Sequence, residues 1–111
     1  VSNALKLINS IQLTNPDLEQ VNQDKAYLLY LLGNYNDSIK NCNSILKLNE
    51  KNISVLNTLG LCLFKLKKYD EAKKNLLKAL DLDINNIKVL NSLGRLNHEL
   101  RKSKEAEKHL N

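Results

Sequence analysis

The sequence predicts an all-α protein built from repeated pairs of antiparallel helices. Three observations predict this fold class: a constant internal period, apolar residues at helical spacing, and few helix-breaking residues. The chain of 111 residues has only one proline and three glycines, so most of it can continue as helix. Its contents of 42% hydrophobic and 26% charged residues are ordinary for one globular domain.

The period is clearest between two segments that begin 34 residues apart, at Ile53 and Ile87. Residues 53–60 read Ile-Ser-Val-Leu-Asn-Thr-Leu-Gly, and residues 87–94 read Ile-Lys-Val-Leu-Asn-Ser-Leu-Gly. The match continues forward to Leu76, which aligns with Leu110. A column of small residues extends the same period along the chain, at Ala4, Ser38, Ala72 and Ala106. Internal repetition at this length is typical of stacked helical hairpins.

Apolar residues within one repeat follow the spacing of a single helix face. Small residues at Gly60 and Ala72 should allow the two helices of a repeat to approach closely. Asn52 and Asn86 precede helical segments and are candidate N-caps, as is Asp17 after Pro16. The predicted helices cover residues 2–13, 19–32, 35–48, 53–66, 69–82, 87–100 and 103–111.

These residues resemble the tetratricopeptide repeat (TPR), whose 34-residue pattern runs W-x2-L-G-x2-Y…A-x3-F…P. The residues that match in order are Leu56, Leu59, Gly60, Leu63, Ala72, Leu76 and Ala79. Ile84 stands where the family has its proline. The resemblance implies a right-handed superhelical solenoid of antiparallel helix pairs. It divides this single array into a half repeat at 1–18, repeats at 19–52 and 53–86, and a partial repeat at 87–111.

The resemblance also implies a ligand site, because the first helix of each repeat lines a concave groove in this family. The corresponding positions are Gln23, Tyr27, Tyr30, Asn57, Leu61, Phe64, Lys88, Asn91, Arg95 and His98. Their character changes from neutral and aromatic to basic along the array. The expected ligand is a peptide or helical segment with an acidic end, its backbone bonded by Asn57 and Asn91. The alternative is that the rings pack on neighbouring helices and the polar residues are merely solvated.

Some family members bind the C-terminal carboxylate of Hsp70 or Hsp90 through a clamp of Lys, Asn, Asn, Lys and Arg. The corresponding positions here are Gln23, Tyr27, Thr58, Lys88 and Ser92. Only Lys88 matches, and without paired cations a carboxylate lacks charge-assisted hydrogen bonds. A chaperone tail is therefore not an expected partner.

The net charge of +5 comes mainly from lysine, with Arg95 and Arg101 as the two arginines. Lysines cluster along the second helix of repeat 53–86, at Lys67, Lys68, Lys73, Lys74 and Lys78. This cluster is read as a solvated outer face, although a site for nucleic acid or anionic lipid is the alternative. Nucleic acid is accordingly not an expected partner.

The remaining reactive residues do not form a recognisable catalytic or metal-binding motif. His98 and His109 are not at metal-ligand spacing with other ligands, and no phosphate-binding loop or nucleophile motif occurs. No cofactor, metal or catalytic activity is expected. Cys42 and Cys62 fall on apolar columns and are read as buried, reduced thiols, which favours a cytoplasmic location. No stretch approaches the roughly 20 apolar residues that span a bilayer.

Both ends of the sequence fall within a repeat, which predicts either a fragment of a longer protein or a tightly docked partner, and leaves open targeting signals outside the fragment. The predicted function is a non-catalytic scaffold or adaptor for protein–protein interaction, with a partner in the groove. Three alternatives stay open: an architectural wall segment of a large multiprotein assembly, a regulatory TPR module of a larger enzyme, and, less favoured, a nucleic-acid-binding repeat.

Overall fold

The computed structural model describes residues 18–110, and the side chains of residues 18–105. This part of the chain forms five α-helices and no strand, which confirms the predicted all-α class. The helices are α1 (Leu18–Leu31), α2 (Tyr35–Leu48), α3 (Ile53–Lys65), α4 (Tyr69–Leu82) and α5 (Ile87–Leu110). The helix expected over residues 2–13 and the cap expected at Asp17 lie outside the described residues.

The helices form two layers. Each helix packs against the next, and α1, α3 and α5 also contact one another in that order. Within the described residues, α2 contacts α1 and α3, and α4 contacts α3 and α5, but α2 and α4 do not pack against each other. An inner layer of first helices and an outer layer of second helices is the arrangement of a helical-repeat solenoid. The stacked helices measure 56 × 31 × 22 Å.

The turns inside the two hairpins have the same backbone geometry despite different residues. Gly33 has φ +83° and Lys67 has φ +64°. After each of them a backbone N–H reaches back to the preceding helix, from Asn34 to Leu29 O at 2.9 Å and from Lys68 to Leu63 O at 2.9 Å. Such bonds across a left-handed residue are a common helix ending. Glycine adopts the left-handed conformation without strain, whereas for Lys67 it costs about 1–2 kcal/mol. Packing of α4 against α3 must offset this cost at the second turn.

Asparagines begin the first helices of the later repeats, as predicted. Asn52 Oδ1 accepts a hydrogen bond from the Val55 backbone at 3.0 Å, and Asn86 Oδ1 accepts one from Val89 at 3.1 Å. An N-cap of this kind stabilises a helix by about 1 kcal/mol. Both N-cap predictions are confirmed.

The core lies between the two layers and consists mainly of aliphatic residues. Leu56, Leu76 and Leu96 are each at most 1% exposed. Gly60 is enclosed by Leu76, since a Cβ on Gly60 would lie 2.6 Å from Leu76 Cγ. The close approach of helices predicted at Gly60 is therefore present, and it explains a glycine in the middle of α3.

The sequence wrongly predicted a break at Arg101 and Lys102, because α5 is one helix from Ile87 to Leu110. A turn there would place Arg101 in the left-handed conformation, as at Lys67, and would cost about 1–2 kcal/mol that packing of a returning helix must offset. The residues that follow are mostly strong helix formers. A Glu99–Lys102 pair at 4.0 Å also supports the helix across the expected break. The repeat boundaries drawn from the internal period stay a prediction.

Candidate functional site

The three inner helices enclose a hollow of about 380 Å³, here called the inner groove. Tyr27 of α1 lines one wall, Lys88 and Arg95 of α5 line the other, and Asn57 and Leu61 of α3 form the floor. The walls are exposed, whereas Asn57 and Leu61 are only 8% and 9% exposed. The residues of the predicted site that the groove brings together are Gln23, Tyr27, Asn57, Leu61, Lys88, Asn91 and Arg95.

A second hollow of about 580 Å³, here called the side hollow, adjoins the inner groove. Asn91 and Arg95 line both spaces, so the two are neighbours along α5. Two further residues of the predicted site, Phe64 and His98, line only the side hollow, together with Leu90 and Gly94.

Two of the predicted aromatic residues, Tyr30 and Phe64, pack on other rings. Tyr30 lines neither hollow, and its ring centre lies 5.9 Å from that of Tyr27 and 6.0 Å from that of Tyr35. The rings of Phe64 and Tyr69 form a T-shaped pair with their centres 5.8 Å apart. For these rings the packing alternative describes the observed contacts. The binding role of the ten predicted residues stays a prediction.

The floor of the inner groove is polar and partly occupied by internal hydrogen bonds. The Ser92 hydroxyl donates to Asn57 Oδ1 at 2.7 Å and also lies 2.9 Å from the Lys88 carbonyl oxygen. Asn57 was predicted as an exposed position, but its buried amide joins α3 to α5. Among the described residues its Nδ2 makes no hydrogen bond, so a donor remains at the floor.

One end of the groove is tied together by a polar clasp. The Asn52 side chain donates to Glu19 Oε2 and Gln23 Oε1, each at 3.0 Å, and Asn49 donates to the same Glu19 oxygen at 2.9 Å. Gln23 was predicted as a ligand contact, but its oxygen is used within the protein. The period did not indicate this clasp because Ile53 occupies the place of Glu19 in the next repeat.

The α5 wall of the groove is basic. Lys88 and Arg95 are exposed, and neither lies within ion-pair distance of a carboxylate among the described side chains. Burial raises the pKa of the Tyr30 phenol, while the charge of Arg95 opposes the rise.

Asp24 and Asn86 are among the lining residues that the predicted site did not include. Asp24 lies beside Gln23 at the edge of α1, and Asn86 lies in the loop before α5. Asp24 follows Gln23 directly in the sequence, one position away from the helix face that was predicted to line the groove. Asn86 was predicted only as a cap, since helix periodicity gives no position to a loop residue.

The two cysteines are free thiols with no exposed surface, which confirms that they are buried. The Cys62 thiol donates to Ser38 Oγ at 3.2 Å, and the Ser38 hydroxyl donates to the Ala26 carbonyl at 2.6 Å. Burial is the main cause that raises the pKa of Cys42 to about 12. Such thiols are chemically inert and serve packing.

Among residues 18–105, no three histidine, cysteine or acidic side chains come together as metal ligands. No described helix combines the length and apolar character needed to cross a bilayer. Three expectations stay predictions: that the protein uses no metal or cofactor, that it catalyses no reaction, and that it lies in the cytoplasm.

A sequence model of the family described as anaphase-promoting complex, cyclosome, subunit 3, matches residues 1–79. The chain belongs to this family. The matched residues include α1, α2, α3 and most of α4. A search of the curated proteins found no match for this subunit 3 family member.

Solved TPR domains share the fold of this family member. The first TPR domain of human RPAP3 superposes with a TM-score of 0.80 at 22% identity, over 94% of this chain and 82% of that one. The first TPR of Spaghetti (RPAP3), bound to the HSP90 peptide SRMEEVD, gives 0.77 at 23% identity, over 90% and 79%. The TPR domain of P58(IPK) gives 0.79 at 17% identity, over 92% and 30%. These likenesses confirm the predicted TPR-like solenoid, a fold that presents a concave binding surface.

The Spaghetti complex contradicts the expectation that a chaperone tail is not a ligand. In that structure a domain of the same fold holds an HSP90 peptide. The expectation was wrong because it compared residues only at five fixed positions, of which Lys88 alone matched. Arg95 lies two helical turns after Lys88 on the same side of α5, so the groove wall has two cations even though Ser92 does not match the clamp.

Proposed function

We propose that this protein is a non-catalytic interaction module whose inner groove holds an extended segment of a partner protein. The observation that carries the proposal is the groove itself, with a polar floor and two cations on one wall. Lys88 and Arg95 line it without carboxylate partners among the described residues. A carboxylate of the partner would supply the missing charge, and hydrogen bonds between ionised groups are the stronger ones.

The spacing of the two cations indicates the spacing of the carboxylates. Seven residues of helix advance about 10.5 Å, and an extended chain advances about 3.3 Å per residue. Lys88 and Arg95 therefore fit acidic groups about three residues apart. The HSP90 peptide held by the Spaghetti domain has a comparable pattern, with two glutamates followed by an aspartate.

The other surfaces of the groove suit the backbone and apolar side chains of such a segment. Asn91 is exposed in both hollows, and Asn57 keeps a free donor at the floor. Amide side chains both donate and accept, as peptide groups do. On the opposite wall Tyr27 is 46% exposed and offers a ring face to an aliphatic residue.

Fluorescence anisotropy with a labelled SRMEEVD peptide tests the proposal. The wild-type protein should bind this peptide more tightly than the charge-inverted peptide SRMKKVK. Arg95→Glu should weaken binding by roughly tenfold or more, because it removes a charge-assisted bond and adds repulsion. Arg101→Glu makes the same charge change on the same helix outside both hollows and should have little effect.

Two results would contradict the proposal that the inner groove binds an acidic peptide. One is equal loss of affinity in the Arg95 and Arg101 variants, which would indicate attraction by net charge alone. The other is equal affinity for the two peptides, which would show that the cations select no carboxylate.

A second candidate function is an architectural segment of a multiprotein assembly, and the family match favours it because the description names a complex. Contacts would then use outer surfaces, where Leu48 and Leu77 are 91% and 46% exposed. Leu48→Ser together with Leu77→Ser should reduce the mass of the complex that contains this protein on a density gradient. If Arg95→Glu alone reduces that mass, the groove is the assembly contact instead.

A further inference from the structure

One face of α5 is uncovered along its first two turns. This open face consists of Ile87, Leu90 and Gly94. Ile87 is 72% exposed and Leu90 is 45% exposed, and no atom lies within 4 Å of a Cβ built on Gly94. The face borders the side hollow, which Leu90 and Gly94 line. An apolar helix face of this kind usually packs against another element.

The equivalent face of α3 shows what would cover it. In α3 the residue aligned with Leu90 is Leu56, which is 1% exposed. The side chain of Leu76 on α4 fills the space above Gly60 so closely that a Cβ there would overlap it. Ala72, one helical turn before Leu76, has no exposed surface. The cover that fits this face is therefore a helix with alanine and leucine one turn apart.

This chain contains a second copy of that pair. Ala106 and Leu110 follow Ala72 and Leu76 by one period of the repeat. In the structure they belong to the straight α5, where about 24 Å of helix separates position 110 from Gly94. The pair is thus present in the sequence at the right register but remote from the open face.

A hinge for bringing them together also exists in the sequence. The α3–α4 turn uses Lys67 with φ +64°, so a basic residue is accepted in the left-handed conformation at this place in the repeat. Arg101 occupies the same place one period later. The side chains of residues 101–105 are all exposed, so tertiary packing does not hold this stretch of α5 straight.

We propose that the open face of α5 is a docking surface for residues 103–110 of the same chain, which form the last turns of α5. The segment reaches it when α5 breaks at Arg101 and Lys102 and folds back, as α4 folds back on α3. The protein then has two conformations, the straight α5 of the structure and a folded-back form. Folding back covers Leu90 and Gly94 and leaves Lys88 on the opposite side of α5 accessible, so the inference does not depend on the proposed groove function.

Distances between two spin labels distinguish the two forms in the full chain. Lys88→Cys and Lys108→Cys provide the labelling sites, while Cys42 and Cys62 are fully buried. A straight helix places the two positions about 30 Å apart. In the folded-back form position 108 lies beside position 96, which gives about 15 Å when helices pack at roughly 8–10 Å. The expected result is a distribution with both distances.

Two substitutions shift that distribution in opposite directions. Arg101→Gly supplies the residue type found at the α1–α2 turn, where Gly33 has φ +83°, and should increase the short-distance fraction. Gly94→Leu should abolish it, because the side chain occupies the place of Leu110. The straight form tolerates Gly94→Leu, since the space there is open, so an unchanged melting temperature or a rise shows that this variant is folded.

Three outcomes would overturn the inference. If every variant gave only the long distance of the straight helix, α5 would not fold back. A short distance that persists in Gly94→Leu would place the segment on another surface. A short distance that vanishes on dilution with unlabelled chain would show that the segment docks on a second copy.

Discussion

Helices α3 and α5 begin with nearly the same eight residues but have different surroundings. Val55 and Val89 are both fully buried, whereas Leu56 is 1% exposed and its counterpart Leu90 is 45% exposed. Gly60 touches Leu76, and Gly94 faces open space. The side that packs on the preceding repeat is therefore the same in both helices. The other side depends on whether a second helix returns, as expected where each repeat is stabilised by its neighbours.

The strongest way to test this comparison is to truncate the two aligned leucines. Leu56→Ala should lower the free energy of unfolding by about 2–5 kcal/mol, because it leaves a cavity in the core. Leu90→Ala should lower it by less than about 1 kcal/mol, since the side chain is half exposed. Urea unfolding followed by circular dichroism measures both. Similar losses for the two variants would contradict the difference in burial.

The aligned glycines should respond to the same substitution with opposite signs. Gly60→Ala should destabilise the protein by about 1–3 kcal/mol, because the new Cβ displaces the buried Leu76 side chain. Gly94→Ala meets no neighbour and should stabilise α5 by up to about 1 kcal/mol through helix propensity. Thermal unfolding of both variants checks the signs, and a rise in melting temperature for Gly60→Ala would show that α4 is not tightly packed there.

The aligned N-caps sharpen the comparison at the helix starts. Asn86→Ala removes one capping bond and should destabilise by about 1 kcal/mol. Asn52→Ala also removes the bonds to Glu19 and Gln23 and should cost about 1 kcal/mol more. The difference between the two free energies of unfolding is the quantity to measure. Equal values would indicate that the clasp adds no stability.

The smallest expected effect is a pH dependence of stability that arises at the interface of α2 and α3. Cys42 and Cys62 lie at this interface, and the aligned residues at the interface of α4 and α5 are Leu76 and Leu96. Burial raises the pKa of Cys42 from its usual value near 9 to about 12. Above pH 9 the unfolded chain releases this proton and the folded chain keeps it, so stability falls as pH rises toward 12. The fall is at most about 1.4 kcal/mol per pH unit for this thiol.

Cys42→Ala isolates the contribution of this thiol to the loss of stability, because the other groups that titrate in the same pH range are still present. The variant should show a shallower loss of stability between pH 9 and pH 10.5 in urea unfolding. Parallel slopes for the variant and the wild type would show that the Cys42 thiol is not buried in its protonated form.

Much of the fold could be predicted from the sequence because hydrophobic periodicity and capping act locally. The bounds of α2 and α4 are those predicted, and Asn52 and Asn86 cap as expected. The continuity of α5 was not predicted, since the period implied a turn that depends on packing against a returning helix. Local helix propensity around Lys102 prevails where that packing is absent.

The site could be predicted only as a set of helix faces. The register placed Tyr27, Asn91 and Arg95 at the inner groove, where the structure has them. It did not reveal that Asn57 and Gln23 bond within the protein, because those bonds join residues that are far apart in the chain. The clamp comparison failed for a related reason, since it read charges at single positions and overlooked Arg95 farther along the same wall.

The inner face of α1, α3 and α5 is the surface proposed to meet a partner. Backbone amide shifts recorded by NMR during titration with SRMEEVD test this most directly. The account predicts the largest changes around Tyr27, Asn91 and Arg95, and negligible changes around Lys73 and Lys74 on the exposed side of α4. Changes concentrated on α2 and α4, with the inner groove unaffected, would contradict it.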